Sequence, residues 1–292
     1  QLTGELAVCA GSCGPGNLHL INGLYDAQRS QAPVLAIASH IPSVQIGANY
    51  FQETHPDRLF LECSNYCELI STADQAPRVV NSAIRHAMAN KSVSVVTLPG
   101  DITDQKATAP TPLYVPFRRP VLAPNSEDVE QLAKLLNDAR KIAIFAGAGV
   151  EGAHDEVLAL ADKLKAPIGH SLRGKDFIQY DNPFDVGMTG LLGYGAAAEG
   201  LHDADVMLML GTDFPYDQFL PDVTTIQVDT DPTVIGRRTG VDIPVHGDVK
   251  STILKLLPEL TVKSDRSFLD KTLAKHDKLM NKAVGAYTRK VE

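Results

Sequence analysis

Glycines spaced for binding a phosphorylated ligand stand near the middle of the sequence. Gly147, Gly149 and Gly152 form a G-x-G-x-x-G motif, which follows an apolar run at residues 141–146 and precedes a helical pattern. Glycines in this strand–turn–helix setting let the backbone turn tightly and approach a pyrophosphate, whose charge the helix N-terminus favours. The same glycines also suit an ordinary strand-to-helix turn, so the motif alone leaves both interpretations open.

A nicotinamide cofactor would need a further acidic residue. Dehydrogenases hold the ribose hydroxyls with an acid about 20 residues after the glycines, at the tip of the second strand. Here the second strand runs into Ser-Leu-Arg-Gly-Lys at residues 171–175, with no acid at its tip. The pattern therefore disfavours an NAD-dependent dehydrogenase.

The four cysteines form two C-x3-C pairs, Cys9 with Cys13 and Cys63 with Cys67. Structural zinc sites favour C-x2-C spacing in loops, whereas Cys9 and Cys67 stand in apolar, strand-like surroundings. Buried free thiols are therefore the preferred interpretation, and a zinc site is the alternative.

Strand-like and helical patterns alternate along the chain. Short apolar runs rich in β-branched residues predict strands, and the stretches between them have helical spacing. The alternation predicts an α/β fold with two tandem doubly wound parallel-sheet domains. The expected strands are residues 5–9, 33–38, 66–70, 92–98, 141–146, 167–171, 206–210 and 225–228, and the expected helices include residues 16–30, 73–90, 155–164, 196–202, 250–257 and 264–290.

The segment at residues 99–124 is rich in proline and lacks apolar periodicity, which is typical of a linker between domains. A helix with start signals at residues 124–126 follows it. Its expected apolar face consists of Leu132, Leu135 and Leu136.

The composition excludes several classes of protein. The 292 residues exceed what one core usually holds, and the hydrophobic (44%) and charged (21%) fractions are ordinary for a soluble globular protein. A net charge of −8 argues against general binding to nucleic acid or anionic lipid. Because no apolar run has the length of a membrane span and no secretory signal opens the sequence, a cytoplasmic location is expected.

Five stretches together give the sequence a resemblance to a known enzyme family. They are residues 11–19, 50–56, 172–175, 185–191 and 211–216. Many thiamine diphosphate enzymes share the first, glycine-rich stretch, whereas the M-T-G-L and G-T-x-F-P-Y segments are more specific. Over essentially its whole length the sequence resembles the thiamine diphosphate- and FAD-dependent pyruvate oxidase, or pyruvate:quinone dehydrogenase, family.

The resemblance implies a division into domains. Residues 1–101 resemble the later part of a pyrimidine-binding domain, residues 102–121 form a linker, residues 122–260 resemble a Rossmann-like central FAD-binding domain, and residues 261–292 form a connecting helix. The family's pyrophosphate-binding domain, with its magnesium site, has no counterpart, and the glutamate that activates thiamine is expected upstream of Gln1. We therefore expect an inactive piece of a longer enzyme, with no catalytic or metal-binding residue in this stretch.

The resemblance also implies residues that bind FAD. Gly147 and Gly149 would let the pyrophosphate or the adenosine side of FAD come close to the backbone. Asp229, at the end of a strand, would accept hydrogen bonds from the adenosine ribose hydroxyls. Two further strips would contact the cofactor, the first of them through backbone groups. These strips are Thr189, Gly190, Leu191 and Leu192, followed by Thr212, Asp213, Phe214, Pro215 and Tyr216.

Structural roles are the alternatives for these residues. Thr212 and Asp213 could simply end a strand, and Asp229 could cap a helix that begins at Pro232. Related decarboxylases keep this domain without any flavin. The agreement of three separated segments nevertheless favours FAD.

Residues near the start of the chain match the part of the family that faces the thiamine pyrimidine. They are Pro15, Gly16 and His19. A plain helix start and a surface histidine are the alternatives.

Phe51 and Gln52 match the family pair that lines the substrate pocket. The ring would cover apolar carbon of a short 2-oxo acid, and the amide would bind a carboxylate or carbonyl oxygen. Glu53 is expected to orient this loop, and ordinary packing of Tyr50 and Phe51 is the alternative.

The resemblance implies oxidative decarboxylation of pyruvate with thiamine diphosphate, Mg²⁺ and FAD, in a homodimer or homotetramer that passes electrons to quinone or oxygen. Membrane contact would come only from a tail beyond Glu292. The alternatives are a non-oxidative acetolactate synthase or 2-oxo acid decarboxylase, and a non-catalytic nucleotide-binding module. An NAD-dependent deacylase would need paired C-x2-C knuckles, which the sequence lacks.

Overall fold

The computed structural model describes residues 3–110 and 120–288. The chain divides into two compact units, residues 1–119 and 120–292. Each unit is a mainly parallel sheet with helices on both faces, so the doubly wound α/β fold predicted from the alternating pattern is confirmed. Among the described residues, no helix has the length and apolar character that crossing a membrane requires.

Among its described residues, the first unit contains four strands and four α-helices. The strands are β1 (Ala7–Gly11), β2 (Val34–His40), β3 (Tyr66–Leu69) and β4 (Val93–Pro99). The helices are α1 (Pro15–Arg29), α2 (Pro56–Leu59), α3 (Ala76–Asn90) and α4 (Gly100–Thr103). All four strands are parallel, in the order β1-β2-β4-β3. Leu24 of α1 packs on one face of the sheet, and Val79 and Ala83 of α3 pack on the other.

The part of the second unit that the structure describes, residues 120–288, contains seven strands and six α-helices. The strands are β5 (Ile142–Ala146), β6 (Ile168–His170), β7 (Asp185–Met188), β8 (Tyr194–Gly195), β9 (Val206–Leu210), β10 (Thr224–Asp229) and β11 (Ile243–His246). The helices are α5 (Ser126–Asp138), α6 (His154–Leu164), α7 (Lys175–Ile178), α8 (Ala197–His202), α9 (Val249–Leu256) and α10 (Ser267–Thr288). The strand order is β11-β10-β9-β5-β6-β7-β8, and only β8 is antiparallel to its neighbour.

The two faces of the second sheet carry separate cores. Ile142 and Ile144 of β5 pack with α5, α6 and α9, whereas Ala143 and Phe145 of the same strand pack with Leu201 of α8 on the other face. Every residue of β5 and β9 is buried, which explains why both strands appear in the sequence as continuous apolar runs.

Several bounds differ from the expectations. β1 lies two residues later than expected, because it pairs with β2 from Ala7 to Gly11. Helix α4 extends two residues into the expected linker, of which residues 111–119 lie outside the described residues. Pro232 begins a turn rather than a helix, so Asp229 is not a helix cap. In α5, Leu132 and Leu136 are buried as expected, but Leu135 is only partly buried, and Val129 and Ala133 complete the face.

The four cysteines are free thiols. Cys63 is buried as expected, whereas Cys9, Cys13 and Cys67 keep part of their surface exposed. Burial raises the pKa of the Cys9 and Cys63 thiols, and burial together with the nearby Asp57 charge raises the pKa of Cys67 to about 11. These three thiols are therefore poor nucleophiles.

Candidate functional site

The loops at the carboxyl ends of the second sheet are tied together by backbone hydrogen bonds. Gly211 N–H donates to Val228 O (2.8 Å) and Gly147 N–H to Leu210 O (2.9 Å). On the other side, Ser171 N–H donates to Ala146 O at 3.0 Å. From β5 the chain continues to one side of the sheet and from β9 to the other, so the order reverses between these two strands. Such a reversal opens a crevice at the carboxyl ends, where ligands bind in open α/β sheets.

The first two glycines of the G-x-G-x-x-G motif are explained by packing inside the chain. A Cβ on Gly147 would overlap Gly211 O and Thr212, and a Cβ on Gly149 would lie 2.6 Å from Gly211 Cα. Gly149 N–H also donates to Gly211 O at 2.9 Å. The missing side chains therefore let two loops meet, and this is a different reason from the expected approach of a pyrophosphate.

The backbone donors of this turn are largely used within the turn itself. Val150 N–H donates to Gly147 O, Glu151 N–H to Ala148 O and Ala153 N–H to Val150 O. Helix α6 begins only at His154, after a 3₁₀ turn. The helix N-terminus that was expected to favour the pyrophosphate charge therefore does not follow the first two glycines directly.

The hairpin between β7 and β8 carries the first expected FAD strip. Thr189 is only 3% exposed, and its hydroxyl has no hydrogen-bond partner. Gly190 has a positive φ of 108°, and a Cβ there would lie 3.1 Å from the Phe214 ring. Leu191 and Leu192 at the tip are 66% and 69% exposed. The hairpin thus presents glycine backbone and two aliphatic side chains, which suit a flat apolar ring.

The second strip mixes core and surface residues. Phe214 is buried edge-on against Phe145 (5.1 Å between ring centroids) and Tyr216 (5.5 Å), so its side chain belongs to the core. Thr212 is also buried, whereas Pro215 is exposed. Because Gly190 packs on Phe214, the two expected strips lie side by side.

The carboxylate of Asp213 is held by two arginines. Arg237 Nη1 lies 2.8 Å from one carboxylate oxygen and Arg238 Nε lies 3.2 Å from the other. No local sequence pattern indicates this pairing, because the partners are 24 and 25 residues away. The side chain of Asp213 is therefore already paired within the chain.

Asp229 ends β10 at the same edge. One carboxylate oxygen accepts a hydrogen bond from Asp231 N–H at 2.9 Å. Burial raises the pKa of this carboxyl, and the nearby Asp231 and Asp213 charges add to the effect.

A buried pair that the sequence did not reveal lies beneath the hairpin. His170 Nε2 is 3.4 Å from Asp185 Oδ1, and His170 O accepts the N–H of Thr189. Burial lowers the pKa of the His170 imidazole and raises the pKa of Asp185, so the neutral forms are favoured on both. The pair joins β6 to β7 and supports the base of the hairpin.

In the first unit, the residues expected to face thiamine lie at the start of α1. Pro15 is the first helical residue, and Gly16 packs against the Ser12 hydroxyl. His19 lies one turn further along and is exposed. Asn17, which the sequence did not single out, is fully buried and donates from Nδ2 to Ser39 O at 2.8 Å.

The expected substrate pair lies beside this helix start. Phe51 is 78% exposed, so the alternative of ordinary core packing does not apply to it. Gln52 packs on Gly14, the residue before α1. The carboxylate of Glu53 accepts hydrogen bonds from the N–H groups of Gly47 and Tyr50, which lower its pKa. These contacts hold the loop, in agreement with the orienting role expected of Glu53.

Two family models match the chain. Residues 1–59 match "Thiamine pyrophosphate enzyme, N-terminal TPP binding domain", and residues 129–256 match "Thiamine pyrophosphate enzyme, central domain". The first matched segment contains the residues around the start of α1, and the second contains the residues at the carboxyl edge of the second sheet.

Relatives match nearly the whole chain. An uncharacterised 42.6 kDa protein of Pseudomonas amyloderamosa is 53% identical over 95% of this chain and 71% of its own length. The putative thiamine pyrophosphate-containing protein YdaP of Bacillus subtilis is 36% identical over 92% of this chain. The pyruvate oxidase of Lactiplantibacillus plantarum is 30% identical over 94% of it. The chain spans 47% of the length of each of the last two relatives.

Proposed function

The chain belongs to the thiamine pyrophosphate enzyme family, and from this premise we propose that it supplies the thiamine-facing and FAD-binding parts of an enzyme that oxidatively decarboxylates pyruvate. When bound, thiamine diphosphate with Mg²⁺ supplies the decarboxylation chemistry and FAD the two-electron oxidation. The contribution of this chain is to bind and orient the reactants and to exclude water.

One observation carries the proposal. Three separated stretches, residues 147–149, 189–192 and 211–216, lie together with Asp229 at the carboxyl edge of the second sheet, on both sides of the point where the strand order reverses. An extended dinucleotide needs such a row of loops at the carboxyl ends of parallel strands.

The residues of this edge fit the parts of FAD. Leu191, Leu192 and the backbone at Gly190 would cover the isoalloxazine ring, and the unpartnered hydroxyl of Thr189 would gain a hydrogen bond at its polar edge. Asp229 would accept from the adenosine ribose. Gly147 and Gly149 would act through the loop shape that they permit, since their own contacts are within the chain.

The first unit would face the other cofactor and the substrate. Pro15, Gly16 and His19 would lie towards the thiamine pyrimidine. Phe51 would cover the methyl group of pyruvate, and the Gln52 amide would bind its carboxylate. The electron acceptor would be quinone or oxygen, and the enzyme would be a homodimer or homotetramer.

Acetolactate synthesis is the second candidate, because the relatives with that name are as similar as the pyruvate oxidase. The probable acetolactate synthase large subunit of Methanocaldococcus jannaschii is 30% identical over 89% of this chain. In such an enzyme the same residues would hold the cofactors, while the two-carbon unit would join a second pyruvate instead of being oxidised.

Pyruvate and a quinone analogue separate the two candidates. The protein that contains this chain is purified with thiamine diphosphate, Mg²⁺ and FAD, and its visible spectrum is recorded before and after pyruvate. The proposal predicts that pyruvate bleaches the flavin, that the quinone analogue restores its colour, and that acetate is the product. Acetolactate formed over an unbleached flavin would favour the second candidate, and a bound flavin without any turnover would favour a non-catalytic nucleotide-binding module.

A further inference from the structure

Cys13 and Gln52 come from different loops and meet at the start of α1. The Cys13 Sγ lies 3.5 Å from Gln52 Oε1, although the two residues are 39 positions apart in the sequence. A thiol is a weak hydrogen-bond donor, and the amide oxygen accepts from it here.

The backbone around this contact is fixed by unusual conformations. Gln52 has a positive φ of 62°, which is uncommon for a residue with a side chain, and Gly14 has a positive φ of 65°. A Cβ on Gly14 would lie 2.9 Å from Gln52 Cβ, so the glycine makes room for Gln52. A loop that adopts a strained conformation and packs closely on a helix start holds the Gln52 side chain in a defined place.

The contact also determines which end of the amide is available. The oxygen and the nitrogen lie on opposite sides of the planar amide group. Because the oxygen faces the thiol, the nitrogen with its two N–H donors faces away from Cys13. A carboxylate can only accept hydrogen bonds, so it needs this nitrogen end.

We propose that Cys13 is a positioning residue that holds the Gln52 amide with its oxygen towards the thiol and its –NH₂ end towards the carboxylate of a 2-oxo acid. The inference rests on the proposed function, because it takes Gln52 as the residue that binds the substrate carboxylate.

NMR of this chain tests the contact without any activity. The side-chain ¹⁵N–¹H₂ signals of Gln52 are assigned by their loss in Gln52→Glu. Cys13→Ala, which removes the donor, should shift these signals, while Cys13→Ser, which keeps a donor, should leave them close to the wild-type positions. Signals that stay in place in Cys13→Ala would overturn the inference.

Steady-state kinetics of the protein that contains this chain test the consequence. Cys13→Ala should raise the KM for pyruvate about three- to fivefold and change kcat less than about twofold, because a weak orienting contact is lost while the reacting groups remain. Cys13→Ser should restore KM. Cys9→Ala, which removes a partly exposed thiol from β1, is the matched control and should leave KM unchanged.

The two readouts separate this inference from the proposed function. If pyruvate is not turned over but the Gln52 signals respond to Cys13→Ala, the proposed function is wrong and the positioning contact stands. If pyruvate is turned over with an unchanged KM in Cys13→Ala, the inference is overturned while the proposed function stands.

Discussion

Ten buried side-chain nitrogen or oxygen atoms among the described residues have no hydrogen-bond partner. The hydroxyl of Thr189 is one of them, at the base of a hairpin whose tip carries two exposed leucines. Leaving such a group unpaired costs about 1–3 kcal/mol, which a hydrogen-bonding ligand would offset. Thr189 is therefore the single residue at which the proposed FAD binding can be tested most directly.

Replacing Thr189 with valine tests this residue. Valine has nearly the same shape and no hydroxyl, so Thr189→Val should stabilise the chain without ligand by about 1 kcal/mol and weaken FAD binding about five- to tenfold. Thr189→Ser, which keeps the hydroxyl, should retain FAD affinity within about twofold. Urea unfolding and FAD titration measure the two effects, and a destabilised Thr189→Val chain with normal FAD affinity would argue against the assignment.

The His170–Asp185 pair should make stability depend on pH. Burial lowers the pKa of His170 below its ordinary value of 6.5, and Lys175 and His276 also disfavour its charged form. As the pH falls through 6.5, the imidazole of the unfolded chain therefore takes up a proton before that of the folded chain does. The free energy of unfolding then decreases by up to about 1.4 kcal/mol per pH unit, until the imidazole of the folded chain is protonated as well.

Asp185 acts in the opposite direction, because its raised pKa stabilises the folded chain at low pH and that contribution is lost as the pH rises. In His170→Gln the imidazole no longer titrates. The wild-type free energy of unfolding relative to this variant should thus decrease between about pH 7.5 and 5.5. A constant difference across that range would mean that the pKa of His170 is the same in the folded and the unfolded chain.

At the scale of elements, the turns after β5 and β9 form one packed structure. Gly147 and Gly149 approach Gly211 so closely that no side chain fits between them. Since this junction lies where the strand order reverses, its shape determines the crevice between the loops.

Gly147→Ala should therefore destabilise the second unit by about 2 kcal/mol or more, because the added Cβ must displace backbone. Gly240→Ala is the matched control, since a Cβ at Gly240 meets nothing within 4 Å. Gly240→Ala should change the free energy of unfolding by no more than about 0.5 kcal/mol. Thermal unfolding followed by circular dichroism measures both, and equal stability of the two variants would show that the turns are not in close contact.

Most elements could be predicted from the sequence because their patterns are long. β5 and β9 are continuous apolar runs, and α6 and α9 have clear helical spacing. β7 and β8 were missed because they are four and two residues long and contain glycine. Their hairpin nevertheless carries the expected FAD strip, since the family resemblance identified residues that periodicity could not.

The contacts within the site could not be predicted, because they join residues that are distant in sequence. Nothing in the local pattern connects Cys13 with Gln52, Asp213 with Arg237, or His170 with Asp185. Only the folded sheets bring them together.

At the scale of the whole molecule, each of the two units presents its expected residues at the carboxyl edge of its own sheet. The chain spans about half the length of its named thiamine pyrophosphate and pyruvate oxidase relatives. FAD binding is the property that the second unit should have by itself.

Titration of the purified chain with FAD, followed by its visible spectrum and flavin fluorescence, tests this claim most directly. We predict saturable binding of one FAD per chain, with a shifted flavin spectrum and weaker binding in Thr189→Val. A chain that is folded by circular dichroism but leaves the spectrum and fluorescence of FAD unchanged at saturating protein would contradict the account.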